Sequence, residues 1–106
     1  MAVYIKQRAV NNMKNIFTRL VLGKTFALPY GEAKAYVNDI ENECSAIEKC
    51  SFHYNTVRAE HRKFGQKVYT YKRNRQTEWY FIYDIDEHEN IIVKRIMCNN
   101  EMILTS

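Results

Sequence analysis

Between residues 58 and 75 the chain gathers side chains that could grip a phosphate or an acidic surface. Arg58, Arg62, Lys63, Lys67, Lys72, Arg73 and Arg75 stand there against one acid, Glu60, so that segment 51–75 carries a net charge of +6. Tyr69 and Tyr71 lie among these cations. Guanidinium and ammonium groups neutralise phosphates, and aromatic rings stack on bases at about 1–3 kcal/mol each. His61 is the one side chain of the block that titrates near neutrality, which makes it the candidate for moving a proton. Arg95 stands further on, among apolar residues. It is either a sheet-face cation for a target or a structural partner for an acid such as Asp84. The candidate binding set is therefore Arg58, Arg62, Lys63, Lys67, Tyr69, Tyr71, Lys72, Arg73, Arg75 and Arg95, with His61, Arg73 and Arg95 as candidate catalytic residues.

The same block could also be a plain solvated face on a chain whose isoelectric point is about 9.0. The tyrosines separate the two readings. Strand alternation puts Tyr69 and Tyr71 on the face of Lys67 and Arg73, which favours exposure. If they face the core instead, base stacking drops out.

Other chemistries find less support. Cys44, Cys50 and Cys98 are odd in number and follow no C-x-x-C spacing, so neither a disulfide framework nor a zinc site is expected. His53 and His88 have no ligand spacing. Asp84, Asp86, Glu87 and Glu89 look like a metal cluster, but acids at a strand turn are usually solvated, and a calcium loop needs a glycine and a wider ligand pattern. No metal and no cofactor is expected.

Positioning the basic block falls to elements that the apolar pattern outlines. The 106 residues leave room for a single domain, 1–106, with one core. Eight Tyr, five Phe and a Trp argue against disorder. No stretch is long and apolar enough to span a bilayer, and the first residues lack the apolar run of a secretory signal, so a cytoplasmic protein with no membrane partner is expected. Ala2 to Lys6 reads as a short strand. Val10, Met13, Phe17 and Leu20 then recur at helical spacing, and Gly23 closes that helix. Pro29 opens a second helix, on which Ala33, Tyr36, Val37, Ile40, Cys44 and Ile47 align and which runs to about Lys49. The short connection favours an antiparallel helical hairpin. Cys50 to Gly65 has no clear period and reads as a loop with a helical turn. Gln66 to Arg73, Glu78 to Asp86 and Ile91 to Cys98 read as three strands joined by tight turns, an antiparallel meander. Trp79, Phe81, Tyr83, Ile91 and Val93 are the expected core of that sheet. The fold class is α+β in the order β-α-α-β-β-β, with the hairpin packed on the sheet in two layers.

That order, with the run Trp79-Tyr80-Phe81-Ile82-Tyr83-Asp84-Ile85-Asp86, resembles the RelE/ParE toxin superfamily, whose third strand is aromatic and ends in an acidic turn. Ile91-Ile92-Val93-Lys94-Arg95-Ile96 is similar to the family's last strand, and Tyr36-Val37-Asn38-Asp39-Ile40 fits its second helix. The likeness covers nearly the whole chain as a pattern, and residues 66–98 as motif. It implies a growth-inhibiting toxin of a type II toxin–antitoxin pair, bound by a cognate antitoxin whose disordered tail folds over the hairpin and sheet.

Two mechanisms occur in that superfamily. RelE-like members are ribosome-dependent, metal-independent mRNA endonucleases; ParE-like members bind and poison DNA gyrase. The nuclease pattern carries over only in part. Its cations on the first meander strand have matches in Lys72 or Arg73, but the arginine near the start of the next strand falls at Tyr80. Its residues beyond the last strand fall in Cys98-Asn99-Asn100-Glu101, which holds no Arg, His or Tyr. Arg58, His61, Arg62 and Lys63 could substitute if their loop folds over the sheet. The resemblance therefore favours a ParE-like inhibitor of gyrase or a related target, with a RelE-like nuclease as the alternative and a non-toxic interaction module as the third.

Overall fold

A computed structural model describes residues 3–22, 28–50, 52–73, 75 and 77–99. The chain runs through strand β1 (Val3–Ile5), helices α1 (Gln7–Leu22) and α2 (Tyr30–Ala46), a 3-10 turn at Ile47–Lys49, strand β2 (Tyr54–Asn55), a one-turn helix α3 (Ala59–Arg62), and strands β3 (Lys67–Lys72), β4 (Glu78–Ile85) and β5 (Ile91–Cys98). Gly23, Ala2 and part of the 74–77 turn fall outside the described residues.

Helix α1 buries Ala9, Met13, Ile16 and Leu20, and α2 buries Ala33, Tyr36, Ile40 and Cys44. These steps of three and four put each set on one stripe. Phe17 meets Tyr30 edge to face at 5.4 Å, while Val10 and Met13 share a groove with Val37 and Glu41, so the two helices run antiparallel. Their stripes close on Trp79, Phe81, Tyr83, Ile91, Val93, Ile96 and Cys98 of the sheet. Trp79 Nε1–H donates to the Tyr36 hydroxyl at 3.1 Å, which satisfies both polar groups inside the core. The expected core residues are all buried.

The sheet is five-stranded and mixed, in the order β1-β5-β4-β3-β2. The antiparallel meander expected from the sequence forms its centre, β3-β4-β5. The sheet as a whole is not an antiparallel meander, because β1 lies parallel to β5 with Tyr4 opposite Ile92. Nearly the whole chain separates β1 from β5, so no hairpin constrains the pair, and a long crossover of this kind is what parallel pairing needs. At the other edge β2 adds two residues, a strand too short to show any alternation.

Two details of register decide what each face carries. Across β3 and β4, Tyr69 pairs with Phe81 and Tyr71 with Trp79, so odd-numbered residues share the helix face. Between β4 and β5 the register shifts at Ile82/Tyr83, since Tyr83 pairs with Val93 and Ile82 with Arg95. Lys94 is the extra residue of that bulge. It turns Arg95 to the face away from the helices while Ile96 and Cys98 return to the core.

Candidate functional site

The face of the sheet opposite the helices is not open. Residues 56–66 leave β2 and come back to β3 as a compact Ω-shaped strap whose ends meet. Thr56 N–H donates to the Gln66 carbonyl at 2.9 Å, and the Thr56 hydroxyl donates to the Gly65 carbonyl at 3.0 Å. The strap is fastened to β4 where Gln66 N–H donates to Asp84 Oδ1 at 2.7 Å, and Asp84 in turn pairs with Lys94 at 2.7 Å. Partial burial works against the Asp84 charge, yet Lys94 and the Gln66 N–H prevail and hold its pKa below the ordinary value. A Cβ at Gly65 would lie 2.9 Å from Ile82 Cγ2 and 3.1 Å from the Tyr83 carbonyl. Only glycine lets the strap lie this close.

Beneath the strap sit Tyr80 and Ile82, both buried. The His61 ring lies 4.8 Å from the Tyr80 ring, and the Arg58 guanidinium lies 5.1 Å from the same ring centroid. The Tyr80 hydroxyl donates to Glu78 Oε2 at 2.8 Å. Next door, the guanidinium of Arg95 covers the Phe64 ring at 4.6 Å. Burial lowers the His61 pKa, the charge of Arg58 lowers it further, and Glu60 opposes both, so the ring is neutral at pH 7. Burial and the bond to Glu78 raise the Tyr80 phenol, which stays protonated. A neutral imidazole, a phenol and two guanidiniums thus meet on one face. His61 is 5% exposed and Tyr80 6%, while Arg58, Arg62, Lys63 and Lys72 around them are exposed.

The candidate residues therefore divide. Arg58, His61, Arg62, Lys63, Lys72 and Arg95 gather on or beside the strapped face. Arg75 is exposed in the turn before β4. Lys67, Tyr69, Tyr71 and Arg73 belong to the helix face. Tyr69 and Tyr71 are not exposed as the alternation suggested. Tyr69 stacks on Phe81 at 5.8 Å, and its hydroxyl donates to Glu43 of α2 at 2.7 Å. Arg73 lies 3.7 Å over the Tyr36 ring, pairs with Asp39 at 2.8 Å and reaches the Tyr71 hydroxyl at 3.3 Å. Burial works against its charge, but the bonds to Asp39 and Tyr71 outweigh that and raise its pKa. Lys67 Nζ donates to Asn55 Oδ1 at 2.7 Å, fastening β2 to β3. The physical reason is the pairing itself: residues opposite the buried Trp79 and Phe81 share their face.

The acids at the β4–β5 turn have local work. The Asp86 carboxylate accepts from the backbone N–H groups of His88 and Asn90 at 2.9 and 2.8 Å, which shapes the turn. Among the described residues no group of three or more His, Cys, Asp or Glu could hold a metal. No helix among them is long and apolar enough to cross a membrane. Cys44 and Cys50 are free thiols. Burial, with help from Glu41 and Glu43, pushes Cys44 up to about 12, which leaves it an unreactive core group.

Sequence reasoning missed Tyr80 and Phe64 as the rings that seat the cations, and Phe52 and Tyr54 as exposed aromatics. The register of β3 against β4 is the signal that would have found Tyr80, since the residue between the core side chains Trp79 and Phe81 must point the other way. Comparison with protein-family models, with curated proteins and with solved structures finds no match to this chain.

Proposed function

We propose that the chain is the toxin of a type II toxin–antitoxin pair, an inhibitor of RelE/ParE type that acts ParE-like by gripping gyrase or a related nucleic-acid machine with its strapped face. One observation carries the reading: the groups that could move a proton are filled in at the centre of that face, and the exposed charged groups around them, Glu60 apart, are cations. Such a surface offers charge to a partner rather than a cavity to a substrate. The resemblance of residues 66–98 to the superfamily supplies the toxin class, and a net charge of +4 suits an acidic antitoxin tail that orders on binding.

A second reading, a RelE-like ribosome-dependent mRNA endonuclease, is favoured by one specific feature. Tyr80 replaces the arginine that the nuclease pattern has at this place, and Arg58 reaches over Tyr80 from the strap. A guanidinium therefore stands beside that position, with a neutral imidazole next to it. Induced expression in a bacterium tests both. Growth arrest with a DNA-damage response and intact messages is expected. Fresh cuts in translated mRNA would move the assignment to the nuclease, and harmless accumulation of folded protein would leave only an interaction module.

A further inference from the structure

The stacking rings that the sequence assigned to Tyr69 and Tyr71 have a replacement at the edge of the sheet. Phe52 and Tyr54 are 64% and 65% exposed, and they meet edge to face at 4.6 Å. Large aromatics exposed side by side are unusual on a soluble surface. They stand where β2 begins: it pairs only with Val68 and Lys67, and past Val68 β3 continues without it. There a cleft of about 380 Å³ opens, lined by Phe52, Tyr54, Val68, Thr70 and the rings of Tyr69 and Tyr83. That size lies in the range of roughly 300–1,000 Å³ typical of ligand sites. The hydroxyls of Tyr69 and Tyr83 are already engaged, by Glu43 at 2.7 Å and by His53 Nδ1 at 2.6 Å. The cleft therefore presents ring surface and little polar demand.

The Glu43 carboxylate flanks the cleft on the helix side and cations flank it on the strap side. Thr70 of the cleft lies on the same strand face as the exposed Lys72, two residues on, and Arg58 lies over the ring of Tyr80, the residue that pairs with Thr70 across the strands. An apolar slot flanked by aromatics and leading onto a positive rim is the arrangement that holds a base by its π-face and the backbone by its phosphates. We infer that this cleft takes an unpaired nucleobase of a single-stranded nucleic acid whose phosphates run over Arg58 and Lys72. The inference rests on the reading of the strapped face as a target-binding surface, and it does not require toxicity.

Fluorescence anisotropy of the intact chain with short labelled oligouridylate and oligothymidylate tests it. Binding that weakens with salt is expected. Phe52→Ala and Tyr54→Ala should each weaken it about 5- to 150-fold, with the salt slope unchanged and the melting temperature that of the parent, since both rings are exposed. Phe52→Trp should retain binding. Arg58→Ala should instead lower the salt slope by about 1. No binding at low salt, or ring variants that bind as the parent does, would overturn the inference. So would a Phe52→Ala/Tyr54→Ala protein that keeps oligonucleotide binding and loses a protein partner, which would make the cleft a protein contact. Growth arrest without oligonucleotide binding leaves the toxin reading standing and removes this one; binding without arrest does the reverse.

Discussion

The two faces of the sheet carry similar side chains and put them to opposite uses. On the helix face, Arg73 is spent on Asp39 and the Tyr36 ring, Tyr69 on Glu43, and Trp79 on the Tyr36 hydroxyl. Each of these polar groups has a partner on α2, and together they fix how the hairpin sits. On the strapped face, Arg58 and Arg95 rest on rings, and among the described residues neither of these cations is in an ion pair. A cation that lies on an aromatic ring keeps most of its charge available to a partner. The helix face commits Arg73 to the fold; the strapped face, apart from the Lys94–Asp84 pair that fastens the strap, displays its cations.

That contrast can be broken in several places. The largest effect belongs to the helix face. Trp79→Ala empties the centre of the core and should cost about 3–5 kcal/mol, read as a fall in the denaturant midpoint, with the chain at risk of not folding. Gly65→Ala drives a methyl against Ile82 and the Tyr83 carbonyl and should cost about 1–3 kcal/mol. Hydrogen exchange should then speed up across residues 56–66 and leave α1 and α2 protected; uniform loss of protection would mean that the strap and the core are one unit. Arg73→Ala should cost about 1–2 kcal/mol once solvent screening of the half-exposed Asp39 is allowed for. Lys72→Ala, its neighbour in sequence, should stay within about 0.5 kcal/mol. Equal costs would erase the distinction between the faces.

The smallest effect is a pH dependence. The His61 pKa is lowered in the folded chain by burial and by Arg58. The unfolded chain therefore takes up the proton at higher pH than the folded one. The His61 contribution is fully present above the unfolded value of about 6.5 and is lost as pH falls through the lower folded value. His61→Gln should flatten that part of the stability curve between neutral and mildly acid pH, measured by urea unfolding at several pH values. An unchanged curve would place His61 in a more open setting than the strap provides.

Much of this was legible from the residues. Steps of three and four gave both helices, and aromatic and β-branched runs gave the meander, because those elements bury one face and must write it into the chain. Two things were hidden for physical reasons. The first was which face Tyr69 and Tyr71 take. Alternation groups them with Lys67 and Arg73 but says nothing of which side the group faces; that depends on the register, which pairs Lys72 with Glu78. The second was the bulge at Lys94. Plain alternation from Ile91 would put Arg95 on the core side with Val93, and one extra residue reverses it. The strap was half legible: its helical turn was expected at 50–65, but its closure depends on Thr56, Gly65 and Asp84, three residues with no sequence period to betray them.

On the proposed function, the cations of the strapped face, and not those of the helix face, act on the target. This is tested most directly by inducing the parent chain and an Arg58→Glu/Arg62→Glu/Lys63→Glu variant side by side, with the amount of folded protein matched. Growth arrest by the parent and growth through induction by the variant is the predicted result. A variant that arrests growth as strongly as the parent would contradict it.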